Sequence, residues 1–342
     1  MDMPPKVTVI VPFYNARETL ARCLGAIVRE LPPGGEVICV DDRSTDGSAD
    51  IAAEFDVRVV QMIRRSGAAA ARNLAASIAA GEIFFFLDAD VIAPPGLPAR
   101  VVEKFVGDPA LDAVFGAYTI FPEADNFASI YKNLVHHTTH LTSRREASTF
   151  WCGCGAIRRE AFARVGGFDE SYSAASVEDI DLGYRLNKTG ATIRLDPSLR
   201  VSHANRDPLR SLIRSDLLDR AARWAKLMAR ERVFKLDLNL KLGNVLSGAV
   251  LALAAPVGLA LAWFDPPAFA AALLIALLAC AVLNARVLWY VARLCGFRFS
   301  VKFFLMFIVT YVYSVIGLAL GLAEFLAERR RRRRAEHPRN FE

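Results

Sequence analysis

Two sequence fingerprints of nucleotide-binding proteins are absent from this chain. There is no GxxxxGK segment, and no GxGxxG follows the strand-like run at residues 7–11. Because both motifs hold phosphate on a glycine-rich loop, their absence argues against a P-loop nucleotidase and a nicotinamide oxidoreductase. Cysteine is also scarce: there are six, and the close pair Cys152 and Cys154 has the wrong spacing for a zinc knuckle. We expect buried thiols in a reducing compartment.

The N-terminus has no charged-then-apolar leader, since Met1 to Pro4 pass directly into a strand-like run. We therefore expect the first domain to lie in the cytoplasm. The net charge of +6 is misleading, because Arg329 to Arg334 alone supply six positive charges. A basic tail beside anionic lipid explains this run better than a nucleic-acid surface does. We expect a membrane partner and no nucleic acid.

Charges are missing altogether from three stretches, 242–264, 266–285 and 303–323. Each has about 20 residues, enough to cross a ~30 Å hydrocarbon layer as a helix. Buried core helices are the alternative, but they are seldom this long or this free of charge. The sequence predicts a transmembrane region at 242–326, followed by a basic tail at 327–342, and hence a multi-pass protein of the inner membrane.

The expected orientation contains a conflict. The basic loop with Arg286, Arg293 and Lys302 suits the cytoplasmic side, but three crossings from a cytoplasmic first domain place the arginine tail outside. Basic residues usually remain inside. Either the tail departs from that rule, or one apolar stretch is a re-entrant or interfacial segment.

Between these regions, residues 207–241 mix apolar and basic side chains in a pattern that suits helices lying in the membrane interface. An ordinary surface helix remains the alternative. Residues 1–206 instead alternate strand-like and helix-like segments, with strands expected near 7–11, 36–40, 57–62 and 83–87. Asn15 is expected to cap a helix over 16–30. This alternation predicts an α/β domain with a mostly parallel sheet and helices on both faces.

Carboxylates follow two of the expected strands, at the sheet edge where such folds bind ligands. Asp41 and Asp42 follow the second strand, while Asp88 and Asp90 follow the apolar run Ile83–Leu87. Carboxylate oxygens are ligands for Mg²⁺ or Mn²⁺, which can bridge a diphosphate and neutralise its charge as it leaves. A lone Asp-x-Asp triplet is weak, because most such triplets are turns or helix caps.

Five motifs in order strengthen this interpretation. They are VIVPFYN at 9–15, VDDRSTDGS at 40–48, DAD at 88–90, GGFDE at 166–170 and EDIDLGYRL at 178–186. Together they resemble the family 2 glycosyltransferases, over roughly residues 6 to 225. The resemblance implies a GT-A fold, an inverting transfer from a nucleotide-sugar donor, and a divalent metal, Mg²⁺ or Mn²⁺.

The resemblance also implies roles on the donor side. Asp41 and Asp42 are expected to contact the base and ribose. Arg43 stands where the family usually has glycine, which requires an ordinary backbone conformation there. Arg72 is expected to approach the donor, the alternative being a packing helix with a surface arginine. The residues so implied in nucleotide-sugar binding are Pro12, Tyr14, Asn15, Asp41, Asp42, Arg72, Asp88, Asp181, Arg220, Arg223 and Trp224.

On the acceptor side, Glu178 and Asp179 resemble the catalytic pair of the family. A sugar hydroxyl is a poor nucleophile, so a carboxylate must accept its proton as the new bond forms. The resemblance assigns this role to Asp179, with Glu178 and Asp181 in support. Acids at a helix start for dipole reasons are the alternative.

Three further features are less specific. His203 resembles a histidine that completes the metal site with Asp88 and Asp90, although a surface histidine is an alternative. Arg220, Arg223 and Trp224 resemble the QxxRW element with Arg in place of Gln, which weakens any inference of a polymerase. His136 and His140 lie one helical turn apart, but we favour an acceptor-pocket or interfacial helix over a metal site there.

The sequence therefore predicts a membrane-bound glycosyltransferase acting on a hydroxyl of a lipid, lipid-linked or glycan acceptor. The rival is a non-catalytic membrane protein that retains a nucleotide-sugar-binding domain as a sensor or partner subunit.

Overall fold

The computed structural model describes residues 4–172, 176–233, 238 and 241–336. They divide into two compact units, Met1–Pro208 and Leu209–Glu342. The basic tail expected at 327–342 therefore lies partly outside the described residues.

The first half of unit 1 is built from parallel strands joined by helices. The strands are β1 (Val7–Phe13), β2 (Glu36–Asp41), β3 (Arg58–Gln61) and β4 (Ile83–Leu87). The helices between them are α1 (Leu20–Val28), α2 (Ser48–Ala53) and α3 (Ala68–Ile78). Every residue of β1 and β4 is buried, as expected for strands covered on both faces. The parallel order therefore brings the carboxyl ends of β1, β2 and β4 to one edge.

The second half adds antiparallel pairings to the same sheet. Its elements are β5 (Val91–Ile92), α4 (Leu97–Gly107), β6 (Ala113–Tyr118), α5 (Phe127–Leu141), β7 (Cys154–Arg158), α6 (Arg159–Arg164), α7 (Glu178–Lys188) and β8 (Ile193–His203). The strand order is β3-β2-β1-β4-β7-β6-β8-β5. Because β7 is antiparallel to both β4 and β6, the sheet is mixed.

Two local expectations are wrong. The first helix begins at Leu20, not at residue 16, and Asn15 does not cap it. Asn15 has a φ of 49°, and its Oδ1 accepts a hydrogen bond from the backbone N–H of Thr45 at 2.8 Å. Arg43 has a φ of 68°, so the ordinary backbone expected there is not present. The side chain of Asn15 ties two loops together, and the turn after β2 keeps the left-handed conformation that favours glycine.

Unit 2 begins with a helical arm of α8 (Leu209–Arg214), a π-helical segment (Ser215–Ala222) and α9 (Arg223–Glu231). The arm packs against the long helix α13 (Phe297–Glu336). A Cβ on Gly321 of α13 would lie 2.1 Å from the carbonyl oxygen of Ala222. Lys226 forms ion pairs with Glu324 and Glu328, at 2.7 and 2.6 Å. Glycine thus permits the close approach of the arm to α13, and the ion pairs of Lys226 stabilise that packing.

The remaining helices of unit 2 are α10 (Leu242–Phe264), α11 (Pro266–Leu283) and α12 (Ala285–Cys295). Within the described residues, α10, α11 and residues Phe297–Arg332 of α13 are long and apolar enough to cross a membrane. Most of their apolar side chains are exposed in the chain alone, whereas Asn284, Ser247 and Tyr311 are buried. Asn284 Nδ2 donates to Ser247 Oγ at 3.0 Å, and the Tyr311 hydroxyl donates to Asn284 Oδ1 at 2.8 Å. These polar groups therefore join three helices in an otherwise apolar bundle.

Candidate active site

The Asp-Ala-Asp motif leaves the sheet at the carboxyl end of β4. Strand β8 ends beside it, because Val91 of β5 pairs with His203 of β8. His203 Nε2 lies 3.3 Å from Asp90 Oδ2, and the side-chain amide of Asn205 donates to the same oxygen at 2.7 Å. Burial opposes ionisation of Asp90, but the hydrogen bond and charge of His203 outweigh it, so the pKa of Asp90 is lowered. The structure thus brings two of the three expected metal ligands together.

Arg72 connects this motif to the second acidic motif. Its side chain is only 4% exposed, so the alternative of a surface arginine is wrong. Nη2 donates to Asp88 Oδ1 at 2.8 Å, and Nη1 donates to Glu178 Oε1 at 2.9 Å. A planar guanidinium is suited to join two carboxylates in a fixed geometry. One buried cation therefore holds the start of α7 next to the end of β4.

The two acids at the start of α7 differ in their surroundings. Glu178 is buried, and besides Arg72 its carboxylate accepts the backbone N–H of Ser176 at 2.7 Å. Asp179 is partly exposed, and its Oδ2 accepts the backbone N–H of Cys152 at 3.3 Å. Burial and the charge of Glu178 raise the pKa of Asp179 to about 7, against the opposing charge of Arg72. Of the pair, Asp179 is thus the acid that combines solvent access with a pKa near neutrality.

The position of α7 depends on two residues of the EDIDLGYRL motif, Gly183 and Arg185, to which the sequence analysis assigns no role. A Cβ on Gly183 would lie 2.4 Å from the backbone nitrogen of Phe150, so only glycine permits this approach. Asp181 has no exposed surface, and Arg185 Nε donates to its carboxylate at 2.8 Å. Arg185 also donates to the carbonyl of Gly167 at 2.6 Å. These contacts support a positioning role for Asp181, whose burial leaves no surface for a sugar.

The GGFDE segment is held from α3. Asn73 Nδ2 donates to the carbonyl oxygen of Phe168 and to Glu170 Oε1, both at 2.9 Å. Asn73 Oδ1 in turn accepts the backbone N–H of Phe168 at 2.9 Å. The Arg72-Asn73 pair thus holds both the start of α7 and the GGFDE segment from one helix. The sequence analysis assigned no role to Asn73. Its position directly after Arg72 was the signal that could have identified it.

The carboxylates after β2 are engaged by the protein itself. Asp41 accepts the backbone N–H of Ser44 and the side-chain amide of Gln61, each at 2.8 Å. Asp42 accepts the backbone N–H groups of Ser66 and Gly67, at 2.7 and 2.8 Å. Both carboxylates are buried and shape the loops at this edge. Contacts to the base and ribose remain a prediction for these two residues.

The other expected donor-side residues lie near the same strand ends. Pro12 is in β1, opposite Val40 of β2. Tyr14 follows the strand with 37% of its surface exposed, and the guanidinium carbon of Arg65 lies 3.8 Å from the centre of its ring. An aromatic ring with a stacked cation therefore lies just after the carboxyl end of β1. This arrangement is suited to a nucleotide base or a phosphate.

The histidines of α5 belong to an aromatic cluster. The rings of His136 and His140 lie 4.0 Å apart, and His136 lies 4.4 Å from the ring of Trp151 and 4.5 Å from that of Tyr118. Tyr118 in turn contacts the ring of His203 at 5.2 Å. The cluster therefore packs against the Asp90–His203 pair through the contact of Tyr118 with His203. This packing argues against the alternative of a metal site at His136 and His140.

Among the described residues, no three His, Cys, Asp or Glu side chains form a closed metal site. Asp88 faces Arg72, while Asp90 and His203 offer one carboxylate and one imidazole. Mg²⁺ or Mn²⁺ held together with a diphosphate needs only one or two protein carboxylates, because phosphate and water supply the other ligands. The residues present therefore fit a metal ion that is bound jointly with the donor.

Arg220, Arg223 and Trp224 lie in the helical arm of unit 2, outside the unit that contains the other site residues. Arg220 Nη1 lies 3.1 Å from Asp216 Oδ1, and Arg223 Nη2 lies 3.6 Å from Asp219 Oδ1. Trp224 is buried. A role for these three residues in donor binding remains a prediction.

The chain is similar in sequence to known glycosyltransferases. Residues 8–166 match the model "Glycosyl transferase family 2", and residues 132–206 match "N-terminal domain of galactosyltransferase". The pre-mycofactocin glycosyltransferase of Mycobacterium tuberculosis is 31% identical over 218 residues, which are 60% of this chain and 44% of the relative. The validoxylamine A glucosyltransferase of Streptomyces hygroscopicus subsp. limoneus is 27% identical over 220 residues, 54% of this chain and 49% of the relative. The chain thus spans less than half the length of these two relatives.

Solved structures share the fold. A mannosyltransferase from Pyrobaculum calidifontis, in complex with GDP-Man and Mn²⁺, aligns with a TM-score of 0.57 and 24% identity, over 94% of this chain and 88% of that one. GalNAc-T7 with UDP, GalNAc and Mn²⁺ aligns with a TM-score of 0.50 and 18% identity, over 66% of this chain and 47% of that one. Unit 1 therefore has the GT-A fold of nucleotide-sugar transferases. Its sequence places it in glycosyltransferase family 2.

Proposed function

We propose that this protein is a membrane-bound inverting glycosyltransferase, which moves a sugar from a nucleotide-sugar donor to a hydroxyl group of a lipid, lipid-linked or glycan acceptor. The observation that carries the proposal is the buried Arg72, which links Asp88 of the donor-side motif to Glu178, the neighbour of Asp179. This link fixes a donor-binding carboxylate and a partly exposed base relative to each other, as a single displacement requires.

Asp179 takes the part of the base. A hydroxyl becomes a competent nucleophile only as its proton leaves, and a carboxylate with a pKa of about 7 is half ionised near neutral pH. Glu178 is not suited to this task, because it is buried and its carboxylate is held in an ion pair with Arg72. The negative charge of Glu178 instead helps to raise the pKa of Asp179.

The leaving nucleoside diphosphate is the other half of the reaction. Asp90 and His203, with Asp88 beside them, are the groups that would hold Mg²⁺ or Mn²⁺. A divalent ion held by these residues would neutralise the charge that develops on the departing diphosphate. Use of a metal is supported by the two solved relatives, which are complexes with Mn²⁺.

The relatives do not point to one acceptor, since one is named for pre-mycofactocin and another for validoxylamine A. The three apolar helices of unit 2 are the reason for proposing a lipid or lipid-linked acceptor and a place in the inner membrane. The catalytic unit and the basic α12 are proposed to face the cytoplasm. The domain organisation proposed is a catalytic domain, an interfacial arm and a membrane anchor.

Substitution of Asp179 by Asn provides the test. The full chain, purified in detergent, is assayed with a panel of nucleotide-sugars and Mn²⁺, and donor binding is measured by the shift in Tm. Asp179→Asn should abolish transfer and retain the donor-dependent shift. Asp56→Asn, on the exposed surface of unit 1, is the matched control and should keep full activity.

Turnover by Asp179→Asn at a near wild-type rate would show that another group is the base. Activity that survives exhaustive chelation would remove the metal from the proposal. A donor-dependent Tm shift in a wild-type protein that neither transfers nor hydrolyses any donor would favour the rival, a nucleotide-sugar sensor.

A further inference from the structure

A groove lies between the short helix α12 and the start of α13, both of which belong to unit 2. It encloses about 300 Å³. Its walls are mostly apolar, and they are formed by Leu288, Trp289, Ala292, Phe297, Ser300, Val301 and Phe304. The hydroxyl of that Ser300 is already engaged, because it donates to the carbonyl oxygen of Leu288 at 3.0 Å. The lining thus offers mainly contact to hydrocarbon.

The helix α12 cannot cross a bilayer. Its 11 residues span about 16 Å, roughly half of a ~30 Å hydrocarbon layer. It joins the end of one candidate span, at Leu283, to the start of the next, at Phe297. A connection of this kind lies at one surface of the membrane. The exposed ring of Trp289, 61% accessible, suits that depth, where aromatic side chains are enriched.

Four cations belong to the two helices that form the groove. Arg286 and Arg293 are exposed and lie two turns apart on α12, on the face that carries Trp289. The guanidinium carbon of Arg293 lies 4.8 Å from the centre of that ring. Arg298 and Lys302 are exposed on the first turns of α13. No acidic residue occurs between Asp265 and Glu324, so this segment supplies no carboxylate to the four cations.

We propose that this groove binds an anionic phospholipid of the bilayer, with the acyl chain against the apolar lining and the phosphate among the four cations. The charge pattern selects this occupant, because a zwitterionic lipid or a second apolar helix brings no net negative charge to the four cations. Binding at this site fastens α12 to the membrane surface and so fixes the turn between the two spans.

The test uses the full chain in neutral detergent micelles, doped with phosphatidylglycerol or with phosphatidylcholine at equal mole fraction. The measured quantity is the Tm as a function of lipid. Phosphatidylglycerol should raise the Tm of the wild type in a saturable way, and phosphatidylcholine should have little effect. High salt should reduce the difference, because the attraction is screened.

The double variant Arg286→Gln/Arg293→Gln should need about 25-fold more phosphatidylglycerol for the same shift, since each cation near an anionic surface contributes about fivefold, or about 1 kcal/mol. Arg29→Gln, an exposed arginine of unit 1, is the matched control and should respond like the wild type, while Arg210→Gln reports on the helical arm. Trp289→Ala tests the groove without changing its charge, and should also weaken the response.

Equal shifts with both lipids would overturn the proposal, as would an unchanged response of the double variant. A double variant that responds normally while Arg210→Gln loses its response would move the lipid site to the helical arm, and also overturn it. The Tm of each variant without added lipid reports whether it is folded.

Discussion

The charge of Arg72 is predicted to set the pH at which this enzyme works. Asp179 has a pKa of about 7, raised by burial and by Glu178 and opposed by Arg72. Only the ionised carboxylate can accept a proton from the acceptor. Transfer should therefore increase as the pH rises through about 7 and reach a plateau above it.

Two substitutions should move this midpoint in opposite directions. Arg72→Met removes the positive charge that lowers the pKa of Asp179, so the midpoint should rise. Glu178→Gln removes the negative charge that raises it, so the midpoint should fall. A neighbouring charge shifts a carboxyl pKa by ~1–3 units, and the partial exposure of Asp179 favours a shift of about 1 unit. Each unit changes the rate by about tenfold on the acidic side of the profile.

The assay follows release of the nucleoside diphosphate at saturating donor from pH 5 to 9.5. Arg72→Lys, which keeps the charge, should retain a midpoint near that of the wild type. Breaking a buried ion pair costs about 3–5 kcal/mol, so the Tm of every variant is measured alongside. A wild-type midpoint in folded Arg72→Met, or shifts of the same sign in Arg72→Met and Glu178→Gln, would refute the reasoning.

Three further substitutions test the scaffold. Arg43→Gly should stabilise unit 1 by about 1 kcal/mol, seen as a higher Tm, because glycine accepts the left-handed conformation without strain. Gly183→Ala should destabilise by about 1–3 kcal/mol and reduce transfer, because its Cβ meets the backbone of Phe150 and must displace α7. Asn284→Leu should lower the Tm in detergent by the equivalent of about 1 kcal/mol, because it removes the hydrogen bonds that join three helices.

Each of these three predictions has a control variant or a result that would contradict it. Gly107→Ala meets no atom within 4 Å and should be neutral, so equal losses in Gly107→Ala and Gly183→Ala would contradict the packing argument. A lower Tm for Arg43→Gly would show that the contact of Arg43 with Gln61, at 3.4 Å, outweighs the strain. If Ser247→Ala and Asn284→Leu are fully additive, the two side chains do not act as one network.

The fold class and the family were predictable from sequence, and both are confirmed. Strands that are buried on both faces consist of continuous apolar residues, which makes them recognisable in a sequence. Ile83–Leu87, for example, is expected as a strand and forms β4. Helix starts were less predictable. Asn15 is a good capping residue in isolation, but its amide is used by Thr45, 30 positions further along the chain. The tertiary contact with Thr45 therefore overrides the local preference of Asn15 for a helix cap.

The candidate site divides in the same way. The sequence by itself determined which acids follow which strands, because the order of motifs needs no knowledge of distance. Only the tertiary structure decided how they are used. Arg72 reaches Asp88 and Glu178, which lie 16 and 106 positions away, and so joins two motifs that look independent in the sequence. His203 likewise meets Asp90 only because β8 pairs with β5. Burial and charge in that assembled site, which no local pattern contains, then distinguish Asp179 from Glu178.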